Sequence, residues 1–131
     1  SNACSISQWA AVAALNGPLD FLPQRNAAFK ARRDRMLADI DAAPGLTAPM
    51  PEGAFYIFAD CSGAIGKSTP KGDRIETDTD FCALLLQEEA VAVVPGTAFG
   101  AEPGFRVSYA TDDASLIEAG QRIRRFCESL S

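Results

Sequence analysis

Between positions 91 and 110 the sequence VAVVPGTAFGAEPGFRVSYA sets two apolar runs on either side of a glycine- and proline-built loop and leaves one cation among them. Residues 91–94 are largely β-branched and are stopped by Pro95. Phe105, Val107 and Tyr109 alternate with Arg106, Ser108 and Ala110 at the period of a strand. The two runs predict neighbouring strands. Alternation sends Phe105, Val107 and Tyr109 to the core and turns Arg106 and Ser108 to the other face, where a planar fork of donors suits a carboxylate. On strand pattern alone, an arginine at such a position is ordinarily a solvated outer residue.

At 131 residues the chain fits one domain with a real core, yet is short for an enzyme that encloses both a cofactor and a substrate. An apolar content of 47% with 22% charged residues fits a soluble globular protein, and no apolar run is long enough to cross a bilayer. A net charge of -5 argues against a nucleic-acid partner. The one dense basic run, KARRDR at 30–35, contains its own Asp34 and reads as a solvated helix face. Cys4, Cys61, Cys82 and Cys127 are far apart, so neither a metal site nor a redox pair is expected. They read as reduced thiols, and with no signal peptide ahead of them a cytoplasmic location is expected. The opening SNA, residues 1–3, reads as a remnant of tag cleavage. The chain has no histidine, which removes Ser-His-Asp triads, Cys-His pairs and the usual general base near neutral pH. Chemistry in such a chain needs help from elsewhere.

Along the chain, residues 5–15 predict a helix opened by an S-x-x-Q capping box on Ser5 and Gln8, with a staple between Cys4 and Trp9 and a left-handed glycine stop at Gly17. A longer helix is expected from about Pro23 to Ile40, with Phe29, Met36, Leu37 and Ile40 on its apolar face. Residues 54–60 contain the unbroken run Phe55, Tyr56, Ile57, Phe58 and predict a strand covered on both faces. GAIGKS at 63–68 mimics a phosphate loop, but Cys61 holds the place of its first glycine and Pro70 forbids the following helix. Residues 77–90 predict a helix capped by Thr77 or Asp78, and Thr111 or Asp112 caps a last helix with Leu116, Ala119, Ile123, Phe126 and Leu130 on one side. Its Arg122, Arg124 and Arg125 suit the negative end of that helix. The expected fold is α+β, a two-layer domain with three or four strands covered by helices.

Taken together, PEGAFYIFAD, VAVVPGTAFG, FRVSYA and LIEAGQRIRRF resemble the C-terminal small domain of a fold-type I, pyridoxal-phosphate-dependent aminotransferase of the aspartate aminotransferase family. Four segments in register span nearly the whole chain. Ser7, Gln8 and Trp9 are similar to the family's helix start, and FKARRDRM to its long helix joining large and small domains. The resemblance implies a single small domain over 4–131, with 4–17 as a link to a large domain. It places Arg106 at the family's arginine for the substrate α-carboxylate, which reverses the solvated reading. Phe55, or after it Tyr56, is placed at the substrate entrance, where packing alone equally accounts for both.

The departures are equally informative. No segment resembles the S-x-x-K stretch of the Schiff-base lysine, the aspartate that pairs with the pyridine nitrogen, or the Asn and Tyr that contact the ring. Lys30, Lys67 and Lys71 lie on a polar helix or in a polar loop. The resemblance therefore implies a homodimeric, full-length enzyme that binds pyridoxal phosphate and exchanges amino acids with 2-oxo acids, and no cofactor on these residues alone. A carbon-sulfur lyase, the aminotransferase-like half of a transcription regulator, and a free-standing α+β ligand-binding module are the competing readings.

Overall fold

The computed structural model describes residues 2–131; Ser1, part of the expected tag remnant, lies outside them. Helices α1 (Ser5–Asn16) and α2 (Leu22–Asp41) precede strand β1 (Tyr56–Asp60). Helix α3 (Asp78–Glu89), strands β2 (Val94–Pro95) and β3 (Gly104–Ser108), and helix α4 (Asp113–Ser129) follow, in the predicted order. The fold is α+β. The sheet is antiparallel in the order β1-β3-β2. In place of a fourth strand, Thr47 makes an isolated bridge to Asp60.

The core forms where the apolar faces of α2, α3 and α4 meet one side of this sheet. Ile57, Ala59, Phe105 and Val107 point inward, and Phe81 of α3 stacks on Phe105 at 5.3 Å and meets Phe126 of α4 edge-on at 5.4 Å. Met36, Leu37 and Ile40 of α2 close the layer with Leu116 and Ile123 of α4. Cys61, Cys82 and Cys127 are buried free thiols, each pushed up to about 12, first by burial. Among the described residues no helix is long and apolar enough to cross a membrane.

Several local expectations are corrected. Ser5 is the first residue of α1 rather than its cap, so the capping box does not form. Cys4 holds the cap position without a side-chain bond, and the Gln8 amide donates to the Ala3 carbonyl instead. Cys4 and Trp9 are both exposed, and Gly17 is extended rather than left-handed. Residues 91–93 stay outside the ladder: Ala90 ends α3 in the left-handed region, and pairing begins only at Val94 and stops after Pro95, where a 3-10 turn at Gly96–Phe99 takes over. The strand expected over 54–60 begins at Tyr56, because Ala54 turns the chain at φ 60. It is covered on one face only, Tyr56 and Phe58 being half-buried. Arg122, Arg124 and Arg125 pair with Glu118, Glu128 and Glu89 rather than with the helix end. In the rejected phosphate-loop mimic, Gly63 lets its backbone cross that of Gly45, where a Cβ would come within 2.6 Å of the Gly45 Cα.

Helices α2 and α4 approach closely because Gly120 faces Asp39, a buried carboxylate paired with Arg35 at 3.0 Å. A Cβ at Gly120 would run into Asp39 Oδ2 and stand 2.9 Å from the Asp39 Cβ. Gly120→Ala is therefore expected to cost about 1–3 kcal/mol in urea unfolding, with Asp39→Ala in the same chain recovering part of the loss.

Candidate functional site

Arg106 sits at the middle of the central strand, opposite Phe58 on β1 and Val94 on β2. Paired residues share a face, so Tyr56, Phe58, Val94, Arg106 and Ser108 line the side of the sheet that no helix covers. This follows directly from the alternation: the same register that buries Phe105 and Val107 delivers the guanidinium to the open face.

There the guanidinium lies against two rings. Its Cζ stands 4.2 Å from the Tyr56 ring centre and 4.5 Å from that of Phe99. None of the ion pairs among the described residues includes Arg106, whereas Arg32, Arg33, Arg35, Arg122, Arg124 and Arg125 all have acidic partners. A half-buried cation that meets π faces and no carboxylate keeps its N–H donors free for an incoming anion.

Both rings are anchored through the backbone. Tyr109, on the buried side of the strand's end, donates its amide to the Phe55 carbonyl at 3.0 Å and its hydroxyl to the Ala54 carbonyl at 3.0 Å. These bonds fix the turn that leads into Tyr56. Phe55, 40% exposed, lies beside Tyr56 with ring centres 4.4 Å apart and reaches Phe29 at 6.4 Å. Phe99 meets Phe58 edge-on at 6.3 Å, and its loop is held by a buried acid at the start of α3. Asp78, only 2% exposed, accepts from the Thr97 amide and hydroxyl and from the Gly104 amide. Burial works to raise its carboxyl, but these bonds outweigh it and hold the group below the usual carboxylate range. Thr77 supplies the helix cap itself, in a capping box with Asp80.

A family model described as Aminotransferase class I and II matches residues 1–123. The chain belongs to the class I and II aminotransferases. The aspartate aminotransferase of Rhizobium meliloti is 58% identical over 127 residues, which are 97% of this chain and 31% of that protein. The aspartate/prephenate aminotransferase of Cereibacter sphaeroides is 51% identical over 131 residues, 100% of this chain and 33% of that relative. A crystal structure of the Rhizobium meliloti aspartate aminotransferase superposes with a TM-score of 0.94 at 57% identity, covering 97% of this chain and 32% of that one. This aminotransferase chain thus spans about a third of the length of the relatives it matches.

Of the residues singled out from sequence, Arg106 and Tyr56 are brought into contact in the aminotransferase chain, and Phe55 lies one residue beyond. Sequence reasoning missed Phe99 and Asp78. An aromatic inside a glycine-rich loop that follows the neighbouring strand was the available signal for Phe99. Asp78 was masked by a cap position, where an acid has a sufficient local reason to occur.

Proposed function

We propose that these residues form the substrate-carboxylate-binding part of a pyridoxal-phosphate-dependent aminotransferase acting on amino acids and 2-oxo acids, whose active site is completed from outside them. The observation that carries this reading is an unpaired, ring-supported Arg106 on an open sheet face. The relatives are named for aspartate and prephenate, so aspartate is the first amino donor to test. A homodimeric whole enzyme belongs to the same reading.

The residues present do not fit the cofactor by themselves. Its amine-bearing lysine needs a sheltered position, whereas Lys30 is exposed on α2 and Lys71 is exposed and paired with Glu88 at 3.2 Å. Lys67 lies in the loop after β1, and the one fully buried acid near the site, Asp78, is already engaged. Transfer of the amino group is the cofactor's chemistry. What this chain contributes is grip and orientation, two parallel N–H donors fixing the carboxylate so that the rest of the amino acid faces one way. Replacing Arg106 by lysine in the full-length enzyme, read on amino acids against amines, tests the reading.

The same reading expects a covering surface for α1. Its sequence is apolar, yet none of its residues is buried, and Trp9 is 74% exposed. Trp9 is the only tryptophan. In the 131-residue chain its emission is expected to be that of a water-exposed indole open to iodide, and in the full-length enzyme, read as the difference between wild type and Trp9→Phe, to be blue-shifted and shielded. Equal quenching in both would remove α1 from the interface.

A further inference from the structure

The geometry points to Tyr56 and Phe99 as positioning residues that hold the Arg106 guanidinium on the open face of β3, by π contact instead of an acidic partner, and so aim its N–H edge at the carboxylate. This rests on the carboxylate-binding reading of Arg106 and goes beyond it. Tyr56 comes from β1 and Phe99 from just beyond β2, the two neighbours of the strand that bears the arginine. Their ring centres stand 4.2 and 4.5 Å from Cζ, within cation–π range.

The chemical advantage lies in what the rings leave unused. A carboxylate partner orients an arginine by occupying its fork, and would then compete with the substrate. An aromatic face attracts the charge of the guanidinium while leaving all its N–H groups available. A long side chain with nothing beside it would sample many rotamers and lose them on binding, so a pre-held fork binds more tightly for the same hydrogen bonds. The supports of the rings favour the same role. The backbone leading into Tyr56 is bonded twice by Tyr109, and Asp78 accepts twice from Thr97 in the turn that carries Phe99 and once from Gly104 at the start of β3. Neither set of bonds is needed to bury Phe99, which is exposed.

The test uses the full-length enzyme. Phe99 is replaced by phenylalanines carrying one, three and five ring fluorines, which drain the π face with little change of size. KM for the amino acid is expected to rise stepwise, to about three- to tenfold at five fluorines, with kcat nearly constant and amine turnover unmoved. Tyr56→Leu should raise KM like the most fluorinated ring, and Tyr56→Phe, which keeps an aromatic face, should raise it less. In an Arg106→Lys background both effects should shrink, because the planar partner is gone. A KM indifferent to fluorination and to Tyr56→Leu, with Arg106→Lys still damaging, overturns the clamp and leaves the carboxylate reading standing. Equal losses on amines and amino acids, or losses undiminished in the Arg106→Lys background, also overturn it, since the rings would then act on something other than the arginine. An Arg106→Lys enzyme as active as wild type removes the carboxylate reading, and the clamp with it.

Discussion

Arg106→Lys in the full-length enzyme is expected to lower kcat/KM for amino acids by about tenfold or more while leaving stability nearly unchanged. Arg106 projects from the face of β3 opposite Phe105 and Val107, so its replacement leaves the core packing intact. Lysine keeps the charge and loses the planar fork. On the proposed carboxylate-binding role, one charge-assisted hydrogen bond, about 1.5–3 kcal/mol, would disappear together with the bidentate alignment of the substrate. The contact with Tyr56 and Phe99 is also weakened, since a compact ammonium stacks less well than a guanidinium. Amines without an α-carboxylate never used the fork, and their turnover should hardly change. Steady-state kinetics on a matched amino acid and amine, with thermal unfolding alongside, decide the matter. Equal losses for both substrates would return Arg106 to the role of an ordinary strand arginine.

The second large effect is expected at Asp78. Asp78→Ala removes the acceptor for two backbone amides and one hydroxyl in a buried setting, and the orphaned donors should lower stability by about 2–4 kcal/mol in urea unfolding. Asp78→Asn keeps an acceptor oxygen and should lose less. The two also differ from wild type in their pH dependence. Because the folded-state carboxyl of Asp78 titrates below its ordinary value, the unfolded chain binds its proton first as pH falls. The stability Asp78 contributes is therefore complete above the unfolded value of about 3.9, and is lost as pH drops through the lower folded value. Cys61, its neutral neighbour, does not titrate in that window. Asp80 and Asp112 are also held below the usual range, Asp80 mainly by the Thr77 hydroxyl and Asp112 by Ser115, so wild type alone does not isolate Asp78. The difference between wild type and Asp78→Asn does: it should stay level above about pH 4 and narrow below it. A constant difference down to about pH 2 would show that Asp78 shares the titration of an unfolded carboxylate.

Much of this was legible in the chain itself. The alternation of Phe105, Val107 and Tyr109 against Arg106 was enough to place a cation on the outer face, because a strand's period of two leaves no other choice. Thr77 and Asp112 announced their helices through local chemistry that needs no tertiary context. What could not be read depended on partners distant in sequence. Phe58 looked like part of a doubly covered strand, since an apolar run does not say which of its faces meets a helix. Ser5 and Gln8 satisfied the pattern of a capping box, but the helix began one residue earlier than that pattern requires. Phe99 and Asp78 acquired their roles only when the loop between β2 and β3 was bonded back to the start of α3, a closure over 19 to 26 residues that no short motif encodes.

The sheet order has one more implication. β3 is the middle strand, laddered on both sides, so the peptide that carries Arg106 has no slack of its own: it can neither slide along β1 nor part from β2 without breaking a register. Its side chain is likewise hemmed in by rings from both neighbours. A charge mounted in this way does not reach for a passing acid. It travels only when the platform travels, so on the carboxylate-binding reading capture and release would depend on how the three strands move together with the helices packed on them, α2, α3 and α4.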